Sequence, residues 1–298
     1  MTTSRILSRS IREVFAPYPH ALLGRDRGIH RLRVGVRRLR VALRLLAGHP
    51  RGRRRRRADR RLKAIADAVA VSRDLDVGVE LLERYPPLHE PGSPAWTALR
   101  QTLLAARARS RRKSRDRLLD LDLVVLRADL RAIGGHAPPD PARLRERFLA
   151  RVDDEGLRVL ERLHRAGRRF NPEALHEVRR GVRRLRYLAE LDDLMRDRRS
   201  EIPQGLRALQ GRIGEIYDRH VLATWLESRG KPSARPDRVA RARAARSIRA
   251  RVLADARRLH RELLDSDPTG VVRDALAALH PAEPPAADGN LLEFPGVS

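Results

Sequence analysis

An all-α fold built from two antiparallel helical bundles is what this 298-residue sequence predicts. Three features predict it. Apolar residues recur at helical spacing through most of the chain, and no stretch alternates over enough residues to argue for a strand. Glycine and proline cut the chain into long segments with short connections, which suits antiparallel bundles. The chain also repeats itself at a nearly constant offset, and similarity at a fixed period implies two copies of one structural unit.

In chain order, Ser4–Phe15 is periodic through Ile6, Leu7, Ile11 and Val14, and Pro17 and Pro19 then interrupt it. Ala21–Gly28 leads into a helix over His30–Leu46, which stops at Gly48, His49 and Pro50. The run Arg53–Arg57 opens the next helix, expected to continue through Ile65, Val69, Leu75, Val79 and Leu82. Pro86, Pro87 and Pro91–Pro94 mark a loop. Trp96 starts a long helix to about Leu119, and a shorter one, Leu121–Ile133, closes the half at Gly134 and Gly135. His136–Pro141 links the halves.

Arg143–Phe170 opens the second half. Pro172 falls in the first turn of the following helix, where a missing N–H costs nothing, and Asn171 is its expected N-cap. Ile202–Leu226 is the counterpart of Arg53–Leu82. Gly230–Pro236 is a polar loop, Arg238–Leu264 a long basic helix, and Val271–Leu279 the closing one. One domain therefore spans about 5–280, with halves at about 5–135 and 141–280. The Pro-, Ala- and Gly-rich tail, 281–298, is expected to be disordered.

His30–Leu46 has two faces. Leu32, Val36, Leu39, Leu43 and Leu46 form an apolar stripe. His30, Arg33, Arg37, Arg40 and Arg44 form a second stripe about a quarter turn away, roughly 21 Å long at the helical rise. No carboxylate interrupts it. Like charges at i,i+4 destabilise a helix by a few tenths of a kcal/mol per pair. A chain that needed only solubility would alternate signs here.

The stretch recurs as His176–Glu190, where His176, Arg179, Arg183 and Arg186 repeat His30, Arg33, Arg37 and Arg40 at an offset of 146. Val178, Val182 and Leu185 repeat Leu32, Val36 and Leu39, and Gly181 repeats Gly35. Leu62-Lys63-Ala64 matches Leu206-Arg207-Ala208 at 144, and Leu118-Leu119-Asp120 matches Leu263-Leu264-Asp265 at 145. The chain reads as a duplicated unit of about 145 residues.

Both stretches resemble the signature helix of the CHAD family (conserved histidine α-helical domain), with the spacing H-x-x-R-x-x-x-R-R-x-R. Val69–Leu82, with its Arg73-Asp74-Leu75-Asp76, is similar to the family's next signature. Leu209–Leu222 is similar to the second-half counterpart, but carries Tyr217-Asp218 where the family usually has Asn-Asp. The resemblance covers roughly residues 5 to 280. It implies two similar four-helix bundles related by a pseudo-twofold, with extra short helices and with basic surfaces meeting in a groove or pore. It also implies binding of inorganic polyphosphate through the basic residues.

On that reading the candidate binding residues are His30, Arg33, Arg37, Arg40 and Arg44, with His176, Arg179, Arg180, Arg183 and Arg186. The repeat adds Lys63 with Arg207 on the third helices, and Arg112 and Lys113 with Arg257 and Arg258 on the fourth. Arg53–Arg57 has no matching run in the second half and reads as a solvated helix start. Arg73 and Asp74 read as a salt bridge between helices.

Composition sets the remaining bounds. The net charge is +27, and lysine occurs only at Lys63, Lys113 and Lys231, so arginine supplies 62 of the 65 basic side chains. A charge that large predicts an anionic partner and costs self-repulsion when the partner is absent. Arginine's planar fork pairs bidentately with phosphate oxygens. There is no cysteine, hence no disulfide or thiolate metal site, which is compatible with a reducing cytoplasm. No apolar run is long enough for a signal peptide or a membrane span. His30 and His176 have no second histidine at metal-binding spacing and no positioned nucleophile. No P-loop, E-x-E-x-K stretch or carboxylate cluster for two metals occurs. The expectation is a non-catalytic polyphosphate binder that needs no cofactor, in the cytoplasm and on polyphosphate granules where these form. Nucleic acid ranks second: charge permits it, but aromatics are only 3%, few for stacking bases. An enzyme acting on phosphoesters or triphosphates ranks third.

Overall fold

The computed structural model describes residues 2–47, 52–86, 93–135, 140–230 and 236–280. Twelve helices occupy these residues, and no strand is present among them. They are α1 (Thr3–Phe15), α2 (Tyr18–Leu22), α3 (Asp26–Leu46), α4 (Arg53–Ala68), α5 (Ala70–Leu82), α6 (Pro94–Leu119) and α7 (Leu123–Gly134). They continue as α8 (Pro141–Ala166), α9 (Pro172–Arg196), α10 (Ile202–Glu227), α11 (Pro236–Asp265) and α12 (Pro268–Leu279). The all-helical expectation holds. The stop at Gly48–Pro50, most of the loop before Pro94, most of the linker 136–141, the loop 231–235 and the tail 281–298 lie outside the described residues.

Four helices start the same way, with a polar cap followed by proline. Ser93, Asp140, Asn171 and Asp267 each accept a hydrogen bond from the backbone N–H three residues on, ahead of Pro94, Pro141, Pro172 and Pro268. The cap satisfies one orphan donor and the proline removes another. Two elements differ from the sequence expectation. Pro17 and Pro19 do not only interrupt the chain: they open the short helix α2. Arg53–Leu82 is two helices, because the backbone turns at Val69 (φ −103°, ψ 3°). Its counterpart α10 runs unbroken.

The packing follows one order twice. In the first half α3 packs on α1 and α4, α5 on α6, and α7 on α4 and α1. In the second, α9 packs on α8 and α10, α10 on α11, and α12 on α8 and α10. Between the halves, α3 meets α9, α5 meets α10 and α6 meets α11. The halves do not keep separate cores. One core joins Ile6, Leu32, Leu39 and Leu62 to Phe148, Val178, Leu185 and Ile213. A second, with Leu82, Leu103, Leu226 and Ile248, closes the junction of α5, α6, α10 and α11.

Gly35 and Gly181 allow close crossings. A Cβ at Gly35 would lie 2.4 Å from the Glu13 carbonyl oxygen, and one at Gly181 would lie 2.5 Å from Val159 Cγ2. Any side chain would push α1 off α3 or α8 off α9.

Many arginines serve the fold. Buried Asp76 lies 2.7 Å from Arg111 and 3.2 Å from Arg107. Buried Asp192 gathers Arg145, Arg196 and Arg198 at 2.9–3.2 Å. Asp129 is held by Arg57 and Arg61, and Glu155 by Arg184, Arg151 and Arg162. Buried carboxylates persist only when paired in this way. No helix among the described residues is long and apolar enough to cross a membrane.

Candidate anion-binding site

The two repeated basic helices, α3 and α9, pack against each other. Their contact brings Arg33 and Arg37 of α3 close to Arg179 and Arg183 of α9, so that each feels the charge of the others. These residue types can coexist there only with help. Arg33 Nη1 donates to the Ala70 carbonyl oxygen at 3.1 Å and lies 3.7 Å from Asp74 of α5. Arg179 lies 3.9 Å from Asp218 of α10, the position equivalent to Asp74. Its Nε is buried and has no hydrogen-bond partner.

Arg37 and Arg183 have less. Both are half-buried, and among the described residues neither makes a hydrogen bond or an ion pair. Burial, and then the neighbouring guanidiniums, push Arg37 down to about 10 and Arg183 to about 9. Both stay protonated at neutral pH, so the depression expresses a charge held where it is poorly solvated and repelled. The half-buried Arg38, Arg40 and Arg184 each hold a carboxylate. Here an external anion would fill the role.

Two histidines flank the arginines. Burial, with Arg73, Arg33 and Arg37 nearby, lowers the His30 imidazole below its ordinary value. Burial and Arg180 lower that of His176. His176 stacks on Tyr217, ring centroids 4.3 Å apart, and its Nδ1 is buried without a partner. Asp218, half-buried and facing Asp74, has its carboxyl raised above the usual range by desolvation.

The rest of the expected set is placed differently. Arg40 makes a bidentate pair with Asp59 of α4 at 2.7 and 3.3 Å, and Arg44 lies 3.7 Å from the same carboxylate. Arg186, buried, lies 3.2 Å from Glu190 and over the Tyr187 ring. Arg180 is exposed and donates to Glu177. Lys63 is exposed, 3.9 Å from Asp67, and Arg207 is exposed, 3.6 Å from Glu190. Arg112, Lys113 and Arg257 are exposed, and Arg258 reaches Glu262 and Asp255. The structure thus gathers His30, Arg33, Arg37, His176, Arg179 and Arg183. It neutralises the far end of the α3 stripe with Asp59 of α4, and that of the α9 stripe with Glu190 one turn on in the same helix. The expected bridge at Arg73-Asp74 is made by Asp74 with Arg33, while Arg73 lies 4.0 Å from Glu80 on its own helix.

Sequence reasoning passed over Tyr217, Asp218 and Tyr187 as members of this neighbourhood. Asp218 was findable, because it repeats Asp74 at offset 144. A cleft of about 890 Å³ lies beside α1, α3, α9 and α10, where Arg9, Arg38, Arg198, Arg199 and Arg207 stand among Glu13, Glu190, Asp193 and Asp197. Its alternating charges make it a poor anion site.

The model of the CHAD domain family matches residues 5–227. The chain belongs to the CHAD family. No curated protein matches it. The crystal structure of the CHAD domain from the plant Ricinus communis has the same fold: TM-score 0.63 at 20% identity, covering 94% of this chain and 91% of that one. In this CHAD protein the two stretches that share the histidine-arginine spacing form α3 and α9, which are in contact.

Proposed function

We propose that this CHAD protein binds inorganic polyphosphate without turning it over, at the cluster of Arg33, Arg37, Arg179 and Arg183. The observation that carries the reading is the pair Arg37 and Arg183, half-buried, mutually repelling and without a carboxylate. A linear chain of closely spaced phosphates supplies the missing charge to all four arginines at once. The two halves derive from a duplication and each gives half of the site, which the paired packing order of the helices supports. Guanidiniums of this kind clamp an anion by charge and hydrogen bonds and are not themselves nucleophiles at neutral pH. A place on cytoplasmic polyphosphate granules follows from the same reading.

Long-chain polyphosphate, orthophosphate, duplex DNA and single-stranded RNA, titrated at matched phosphate and salt, test it. Polyphosphate should bind tightest, and its log affinity should fall steeply and linearly with log salt as counterions are released. Affinity that is flat between low and physiological salt, or equal for nucleic acid, would rule the reading out.

Binding should also take up protons. An anion beside His30 and His176 raises imidazoles that burial has lowered, and raises the Asp218 carboxyl further. Each shift favours the protonated form, so affinity should rise as pH falls from 8 towards 5. His30 faces Arg73, Arg33 and Arg37; His176 faces Arg180, Glu177, Arg179 and Arg183; Asp218 faces Arg179, Asp74, Arg73 and Arg33. Long chains have few end groups that titrate near neutrality, so the ligand adds little of its own. Calorimetry in two buffers of different ionisation enthalpy at pH 6.5 would measure the uptake; net proton release would contradict it.

A further inference from the structure

The helix α10, 26 residues with no break, has Gly205 at its first turn and Gly211 and Gly214 well inside. Glycine ranks just above proline as a helix interior residue. Gly205 and Gly211 are exposed, and a Cβ at either would meet nothing within 4 Å. Gly214 is buried and differs. A Cβ there would lie 3.1 Å from Nε and Nη2 of Arg179 and 3.5 Å from its Cζ. The guanidinium therefore rests on the bare backbone of α10. No hydrogen bond holds Nε, so packing does the placing. One turn further on, Asp218 stands 3.9 Å from Nη2.

The first half solves the same problem in another way. Gly214 is equivalent to Ala70 at offset 144, and Arg33 donates to the Ala70 carbonyl. There the helix is interrupted at Val69 and α5 starts at Ala70. In the unbroken α10 the carbonyls are taken by the helix itself. Arg179 lies over a Cα instead, closer than an added Cβ would ordinarily allow.

We propose that Gly214 is a positioning residue that seats the Arg179 guanidinium in the anion cluster. The proposal rests on the reading of that cluster as the polyphosphate site. A methyl at Gly214 meets the far end of a flexible side chain rather than backbone. The guanidinium should give way and the helix should not.

Gly214→Ala should therefore raise Tm, as alanine for glycine does in a helix interior, while polyphosphate affinity falls. The expected loss is roughly tenfold, the scale of one charge-assisted hydrogen bond. Gly211→Ala should raise Tm and leave affinity unchanged. In an Arg179→Ala background, Gly214→Ala should have no further effect on affinity, a coupling that a purely structural glycine would not show. Calorimetry with long-chain polyphosphate and thermal melts read all four proteins. Unchanged affinity in Gly214→Ala beside a clear loss in Arg179→Ala would overturn the seat but not the site. So would a fall in Tm, or an equal loss in both backgrounds. Wild-type affinity in Arg179→Ala would overturn both.

Discussion

Replacing Arg37 and Arg183 together by alanine should weaken polyphosphate binding by roughly 10²- to 10⁴-fold and should make the empty protein more stable. Each charge-assisted hydrogen bond is worth about 1.5–3 kcal/mol, and two are lost. The loss exceeds a simple halving because one flexible polyanion touches both halves, and each contact makes the next intramolecular. The gain in stability has a separate origin. A base whose pKa is depressed by folding destabilises the folded state while it is charged, and that penalty fades as pH rises through the depressed value. Burial and neighbouring arginines bring Arg183 to about 9 and Arg37 to about 10. The wild-type protein should thus gain stability between pH 8 and 10.5, and the double variant should lack that gain. Arg53 and Arg54, exposed at the start of α4, are the control. Removing them takes away the same formal charge and should cost far less affinity. Urea melts at pH 7 and 10 and calorimetry at fixed salt measure both effects. Equal losses for the two double variants would mean that net charge, not this cluster, drives binding.

Much of this was legible in the sequence, and particular residues show where legibility ended. Spacing at i, i+3 and i+4 identifies a helix face, so His30, Arg33, Arg37, Arg40 and Arg44 were found together. It does not say which residues of other helices stand opposite. Asp59, nineteen residues from Arg40 and on another helix, neutralises it and also draws in Arg44. Those contacts decide which arginines remain for a ligand, and they depend on tertiary packing alone. The break at Val69 was hidden for a related reason. Val69 is buried and in phase with Ile65, and neither glycine nor proline marks the turn. Gly214 was one of several glycines in α10, and only the position of Arg179 distinguishes it. The caps were the clearest signal, because Asn171-Pro172 acts through its own backbone.

The other large effect should come from Glu155, whose loss should damage the fold and leave the site intact. Glu155 is 1% exposed and sits where α8 crosses α9. Its Oε1 accepts from Arg184 Nε at 2.8 Å, and Arg151 and Arg162 lie at 3.7 and 4.0 Å. Glu155→Gln keeps the shape and leaves three guanidiniums facing a neutral amide. Breaking a fully buried pair costs about 3–5 kcal/mol. These arginines are 22–32% exposed and partly solvated, so about 2–3 kcal/mol is expected. Urea unfolding should show a lower midpoint at unchanged slope. Arg184 turns toward α8 while its neighbour Arg183 faces α3, so polyphosphate affinity of the folded variant should stay within about twofold of wild type. Replacing Glu155 and Arg184 together by leucine should restore most of the stability, since apolar side chains often substitute for a buried ion pair without loss. Should Glu155→Gln unfold at the wild-type midpoint, the buried carboxylates do not hold these helices. The arginine surplus would then have to be explained by ligand binding over a much larger surface than the four-arginine cluster.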